Sequence, residues 1–466
     1  MSSPSTSRQP APIPEPQAWR ALAALCVGLF ITLLDQSLVA VSLPRIREEL
    51  GASINQVVWV SAVYLLTFAV PLLITGRLGD RFGQRNVYLV GMAIFTLAAL
   101  ACSLAPTIEW LILLRAIQGL GGSLINPQPL SIIHRIFARD RRGAATGVWS
   151  AVASSAGLFG PVIGGVLVGT VGWRWVFFVY VPLGLVSLVM VALYVPRLSR
   201  GAGRIDLLSG LVSLIAVLGV VFALQQGPEV GWDWWLWLVL AAGIAAFILF
   251  IRLQRTAPRR RTEALVPLRR FRHRNFALGV FAVATLGFTV YSVTLPIMLY
   301  LQLGQGLSAQ TAGLMLVPMG MISVIMAPLV GRITDRVAPG RISQAGFSAM
   351  IAALVLFGVF MHLQLSAWWV LLPIVLLGLA NSLCWAPNST ISLRDLPADL
   401  VGAGSGVYNT SRQVGAVLGA AALGAVMQMG EGVLSFGAAM GNALLLPVVF
   451  LFLGLLAVSR FREVGE

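Results

Sequence analysis

The amino-acid sequence predicts an all-α polytopic membrane protein with 14 transmembrane helices, arranged as two six-helix halves plus two extra helices. Three observations predict it. Of 466 residues, 58% are hydrophobic and only 11% are charged, where a soluble domain carries about 25%. Apolar runs of spanning length recur along nearly the whole chain, and the mean hydropathy is +0.87. Two short motifs recur at a long, nearly constant offset.

A span needs roughly 20 mostly apolar residues. Fourteen stretches qualify: 20–42, 57–75, 86–104, 110–131, 144–168, 174–194, 206–225, 233–252, 276–299, 311–330, 342–362, 368–391, 403–427 and 434–459. Before them, the Pro- and Ser-rich residues 1–18 are expected to form a disordered cytoplasmic tail. The first apolar run is long and has no small-residue cleavage pattern, so it is expected to be retained as a span. The first six spans make an N-terminal half, residues 19–200. The next two, residues 201–252, are the extra pair, joined by "QQGPEVGWDWW", whose Trp cluster suits a membrane interface. A basic cytoplasmic linker, residues 253–275, leads to the C-terminal half, residues 276–466. That linker is also expected to meet anionic membrane lipids.

The repeat supports this division. "GRLGDRFGQRNV" begins at Gly76 and "GRITDRVAPGRI" at Gly331; "GAATGVW" begins at Gly143 and "GAGSGVY" at Gly402. The offsets, 255 and 259 residues, nearly agree. Repeated halves of this kind are transporter architecture, with the substrate site between them near the bilayer midplane.

Orientation follows from charge. Every basic residue is Arg, and the net charge is +15. The arginines fall in alternate connections: Arg77, Arg81 and Arg85; Arg135, Arg139, Arg141 and Arg142; Arg197, Arg200 and Arg204; the run from Arg252 to Arg274; and Arg332, Arg336 and Arg341. The intervening connections hold little beyond Arg45, Arg47 and Arg174. The positive-inside rule therefore places both termini in the cytoplasm. Arginines confined to short connections between apolar runs read as topology signals, and no nucleic-acid partner is expected.

Other classes fit poorly. Cys26, Cys102 and Cys384 lie apart in apolar runs, as packing residues, and His134, His273 and His362 are scattered at span ends. No metal, cofactor or catalytic constellation is expected, so the chain is not read as an enzyme. No phosphate-binding loop of the G-x-x-x-x-G-K type is present, so an ion gradient must supply the energy.

Against this background Asp35 stands out. It lies in "ITLLDQSLVAVSLP", the first span, and is the only carboxylate placed well inside one. An ionisable group at a helix centre costs about 2.5–3.5 kcal/mol on insertion scales, and such residues mark ion and substrate paths. An acid there can change charge as its access to water changes. It is expected to carry the proton, a substrate cation, or both in competition; the alternative is a structural pair with Arg115 or a polar neighbour. Arg115, in "LLRAIQGLGGSL" of the fourth span, needs a partner or a wet cavity, and Gln118 follows one turn later.

These motifs resemble the major facilitator superfamily, and within it the fourteen-span drug:proton antiporter branch of the QacA and EmrB exporters. "LDQSLVAVSLP" (Leu34–Pro44) looks like the first-span pattern of that branch, although Ala40 and Ser42 depart from it. "GRLGDRFGQR" looks like the superfamily's loop signature. Its Gly76, Gly79 and Gly83 permit a tight turn, Asp80 complements a helix N-terminus, and Arg81 and Arg85 pair with Asp80 or with lipid phosphate. The resemblance makes this loop, with its echo at Asp335 and Arg336, a cytoplasmic latch, and links Arg115 to proton coupling. "AGLFGPVIGGVLVG" (Ala156–Gly169) resembles the fifth-span motif of exporters, with Gly157, Gly160, Pro161, Gly164 and Gly165 forming a thin helix face. "GVYNTSRQVGAVLGAA" (Gly406–Ala421) resembles the eleventh-span pattern, placing Asn409, Arg412 and Gln413 as gate or helix-contact residues. Tyr64, Tyr291, Trp385 and Asn388 are cavity candidates.

The resemblance implies a major facilitator fold and a proton-coupled antiporter in the bacterial plasma membrane, functional as a monomer. It would export small lipophilic drugs or antibiotics by alternating access. The alternatives are an exporter of one endogenous metabolite or lipid, an importer, which the fifth-span motif disfavours, and a receptor or scaffold on a transporter fold.

Overall fold

The computed structural model describes residues 14–138, 141–198, 206–257, 265–266, 268–334, 337–394, 396, 398–430 and 435–462. These residues form helices and short connections, with no strand among them. In chain order the α-helices are α1 (Glu15–Leu50), α2 (Ile54–Ala69), α3 (Leu72–Phe82), α4 (Gln84–Ser103), α5 (Ile108–Ile125), α6 (Gln128–Ile136), α7 (Arg142–Thr170), α8 (Arg174–Phe178), α9 (Tyr180–Tyr194), α10 (Leu207–Gln226) and α11 (Trp234–Thr256). They continue as α12 (Arg274–Ser292), α13 (Thr294–Leu299), α14 (Ala309–Met315), α15 (Val317–Thr334), α16 (Pro339–His362), α17 (Leu371–Arg394), α18 (Ala398–Gly430), α19 (Phe436–Ala443) and α20 (Leu445–Val458).

Among the described residues, twelve helical stretches are long and apolar enough to cross a membrane, and Ile54–Ala69 and Ser155–Thr170 are shorter apolar helices. Length alone therefore does not yield the expected fourteen. Several expected spans are split, and proline explains where. Pro71, Pro127, Pro182, Pro296, Pro318 and Pro447 each lack the N–H that would bond four residues back. A break falls at or just ahead of each of them, at α2/α3, α5/α6, α8/α9, α12/α13, α14/α15 and α19/α20. Pro44, Pro161 and Pro387 instead lie inside continuous helices.

Helix ends also differ from expectation. Residues 15–18, expected in the tail, are the first turn of α1, which opens with a proline in its first turn, where a missing N–H costs nothing. α1 runs to Leu50 and stops at Gly51, whose φ of 60° gives the left-handed cap. α2 opens on a reciprocal capping box between Ser53 and Gln56. α11 runs to Thr256, past the expected start of the linker.

The packing is organised by halves. α1, α2, α4, α5, α7 and α9 pack on one another, as do α12, α15, α16, α17, α18 and α20, while α10 and α11 pair together and α10 touches α2 and α18. The two repeats occupy equivalent places, since Gly143 and Gly402 lie in the opening turns of α7 and α18. α7 packs on α1 as α18 packs on α12.

The termini and the Arg-rich connections share one side, called here the near side. On the opposite, far side, Trp110, Trp175, Trp234, Trp237, Trp368 and Trp369 stand exposed at helix starts, an aromatic belt suited to an interface. The halves meet chiefly toward the far side. There Gln302 Nε2 donates to the Val41 carbonyl at 3.1 Å, and α14 lies against α7.

Candidate functional site

The N-terminal half buries an ion pair. Asp35 on α1 is 0% exposed, and Arg115 on α5 is 1% exposed. Arg115 Nη1 donates to both carboxylate oxygens of Asp35 at 2.9 Å. It also donates to Gln118 Oε1 at 2.8 Å, and Gln118 Nε2 reaches Asp35 Oδ1 at 3.4 Å. On its other edge Arg115 Nε donates to the Val60 carbonyl of α2 at 3.1 Å. The guanidinium lies 4.1 Å from the Tyr64 ring centroid and 5.7 Å from that of Phe177, so two aromatic faces add cation–π attraction. A buried guanidinium thus has a counter-charge, a carbonyl, an amide and a ring, which together offset its desolvation.

The spacing of Arg115 and Gln118 explains part of this. Three residues apart on α5, they share one helix face, and the face points at α1. Asp35 is 80 residues away in sequence and arrives there because α1 packs between α7 and α9.

Beside the pair lies a small cavity, about 40 Å³, lined from both halves. Gln36, Ala40, Ser61, Tyr64 and Arg115 come from one half; Tyr291, Ser292, Leu295, Leu423 and Met427 come from the other. A space of that size holds a few waters. The Gln36 carboxamide and the Tyr64 hydroxyl are buried without a protein partner, so the cavity presents uncharged donors and acceptors on an apolar wall.

Of the cavity candidates, Tyr64 and Tyr291 line this space. Asn388 does not: it is fully buried and donates to Tyr408 Oη at 2.8 Å and to the Gly279 carbonyl at 3.3 Å, joining α17, α18 and α12. Trp385 bonds Asn381 on its own helix and lies 5.7 Å from the Arg412 guanidinium. Asn409 bonds the Ser405 carbonyl of its own helix at 3.0 Å. Gln413 is buried with Oε1 unpaired.

The loop signature is mostly helical. Gly76 and Gly79 lie within α3, and of its three glycines only Gly83, with φ 93°, makes the turn. The expected three-glycine turn is corrected to one, because α3 continues to Phe82. Arg81 is exposed beside Phe82, and Arg85 donates to the Ala192 carbonyl at the end of α9. Asp335 and Arg336 lie outside the described residues, as does the side chain of Asp80.

The fifth-span glycines divide by face. A Cβ on Gly160 would stand 1.8 Å from Ser37 Oγ, and one on Gly164 would stand 3.2 Å from the Leu38 carbonyl, so this face meets α1. Gly165 faces the other half, where a Cβ would stand 2.9 Å from the Ala309 carbonyl. A Cβ on Gly313 of α14 would meet the Pro161 carbonyl at 2.3 Å. Gly157 is exposed with nothing near it.

Sequence reasoning missed Gln36, Ser61, Ser292 and the amides Asn55, Gln225, Gln226 and Gln428. Their signal was polarity inside apolar runs.

Comparison with known proteins agrees with this architecture. The family model "Major Facilitator Superfamily" matches residues 25–207 and 202–420. An uncharacterised MFS-type transporter of Mycobacterium tuberculosis is 41% identical over 409 residues, covering 88% of this chain and 70% of the relative. The tetracenomycin C resistance and export protein of Streptomyces glaucescens is 34% identical over 418 residues, covering 88% and 76%. Among solved structures, a D-xylose–proton symporter superposes with a TM-score of 0.66 at 13% identity, over 93% of this chain and 97% of that one. The chain belongs to the Major Facilitator Superfamily and is a multi-pass membrane transporter.

Proposed function

We propose that the protein is a proton-coupled antiporter of the bacterial plasma membrane, with both termini cytoplasmic, that exports lipophilic drugs or antibiotics by alternating access. The observation that carries this reading is the buried Asp35–Arg115–Gln118 cluster at the edge of a cavity shared by the halves. Protonation of Asp35 removes the charge that holds Arg115. The guanidinium is then left with Gln118, the Val60 carbonyl and the Tyr64 ring, and its position no longer ties α5 to α1. A proton therefore changes the balance between the two arrangements of the halves, as a ligand that prefers one state does. The apolar wall, with the unpaired Gln36 amide and Tyr64 hydroxyl, suits lipophilic molecules that carry a few polar atoms. Relatives named for resistance and export support the direction of transport.

The test is ethidium transport in proteoliposomes under an imposed pH gradient. The wild type is expected to move the dye against its gradient. Asp35→Asn is expected to lose gradient-driven transport by at least tenfold while keeping its elution profile. Transport by the wild type that ignores the pH gradient would remove the proton from the mechanism.

A further inference from the structure

The inserted pair α10–α11 lies outside both six-helix halves, and the ion pair does not touch it. Yet α10 ends at the seam where the halves close. Its last turn carries Gln225 and Gln226 at the end of an apolar helix. Asn55, at the far-side start of α2 and 4% exposed, is their hub. Asn55 Nδ2 donates to Gln226 Oε1 at 2.7 Å, and Asn55 Oδ1 accepts from Gln225 Nε2 at 2.8 Å. The same Oδ1 accepts from Gln428 Nε2 of α18 at 3.3 Å. Trp59 Nε1 of α2 donates to Gln226 Oε1 at 2.9 Å. The α18 backbone also lies close against side chains of α2 and α10: a Cβ on Gly424 of α18 would stand 2.6 Å from the Val58 side chain and 3.2 Å from Gln225 Oε1.

We propose that Gln225 and Gln226 are positioning residues of the far-side gate, and that the inserted helices act through them as a clasp favouring the far-side-closed state. The chemistry is one of amide orientation. The Trp59 indole can only donate, so it turns the Gln226 Oε1 toward itself, and Asn55 meets that same oxygen with its Nδ2. Its Oδ1 then faces Gln225 and, across the seam, Gln428. Without Gln226 the Asn55 Nδ2 loses its acceptor, and the carboxamide is held only through its Oδ1, by the Gln225 and Gln428 donors. The network sits one helical turn beyond the cavity, on the side where the halves meet. Opening that side separates α18 from α2 and breaks the Gln428 bond, while the bonds to α10 keep Asn55 poised for re-closure. The inserted pair thus belongs to the transport cycle. This inference rests on the alternating-access reading above.

The test is pulsed spin-label distance measurement on the full chain in lipid nanodiscs, at acidic and alkaline pH. Labels go on Leu104→Cys and Leu363→Cys, exposed far-side positions in the two halves; the native cysteines are buried. The wild type should show a short, closed distance and a longer, open one. Gln226→Leu should lower the closed-to-open ratio about tenfold, the scale of a lost hydrogen bond with its stranded partner. Gln428→Leu should do the same, and the double variant should go little further, because both act through Asn55. Should Gln226→Leu fail to fold, Gln225→Leu, which removes the other α10 bond to Asn55, carries the test. An unchanged ratio, or fully additive effects, overturns the clasp while alternating access stands. A single distance in the wild type at every pH overturns alternating access and the clasp with it.

Discussion

Arg115 cannot be exchanged for another cation. Its guanidinium serves the Asp35 carboxylate, Gln118, the Val60 carbonyl and the Tyr64 face at once. A lysine ammonium is a point charge without a planar fork, so it cannot bond the carboxylate and the Val60 carbonyl while lying flat on the ring. Arg115→Met leaves a carboxylate buried without compensation and is expected to cost about 3–5 kcal/mol. Adding Asp35→Asn should recover much of that loss, because the uncompensated charge disappears. Thermal unfolding of the four proteins in detergent checks this; a double variant no more stable than Arg115→Met would mean that the stranded carboxylate is not what destabilises the single variant. At this scale the sequence exposes Asp35 and Arg115, since charge in an apolar run is conspicuous. It offers their pairing only as one alternative, because the pairing depends on the rotation of α1 against α5. Gln36 and Asn55 were harder still, being uncharged and close to other polar residues.

The helices carry two kinds of information in small residues and proline. The run lengths were legible, because hydrocarbon demands a minimum apolar length. The breaks were less so: Pro44, Pro161 and Pro387 leave their helices unbroken, while six other prolines in or beside apolar runs mark breaks. Neighbouring helices can satisfy a freed carbonyl in the membrane, so the outcome depends on packing that the local sequence does not encode. The glycine-rich face of α7 was legible as a thin face, but not which neighbour each glycine meets. That division has a consequence at Gly313. Its Cβ position coincides with backbone, the Pro161 carbonyl of the other half, at 2.3 Å. Gly313→Ala therefore forces α14 and α7 apart and should open the far side, seen as faster maleimide modification of Gln302→Cys on the closed seam. Gly157→Ala, with open space around it, should leave that rate unchanged. Equal rates in Gly313→Ala and wild type would mean that α7 and α14 do not close the far side.

Charge sets the orientation of the whole molecule, and the far-side arginines make the asymmetry stronger than a count suggests. Arg45 bonds Glu48 at 3.1 Å and Glu49 at 2.8 Å. Arg174 lies 3.6 Å from Glu49 and stacks over Trp173 at 4.5 Å. These exposed pairs add little stability, but they reduce the local charge on the far side. The near side keeps a large excess of arginine in its connections. Insertion should therefore hold the near side in the cytoplasm, where anionic lipid and the positive-inside bias favour it. The repeat made the two halves legible, but which side is closed was not, because both closures use the same helices in different contacts. Membrane-impermeant maleimide tests the orientation in intact cells. Leu363→Cys, exposed on the far side, should be modified without permeabilisation, whereas Asn86→Cys, exposed in the near-side first turn of α4, should react only after it. The native Cys26, Cys102 and Cys384 are buried and provide a silent background. Modification of Asn86→Cys in intact cells would invert the topology, and with it the proposed direction of proton entry to Asp35.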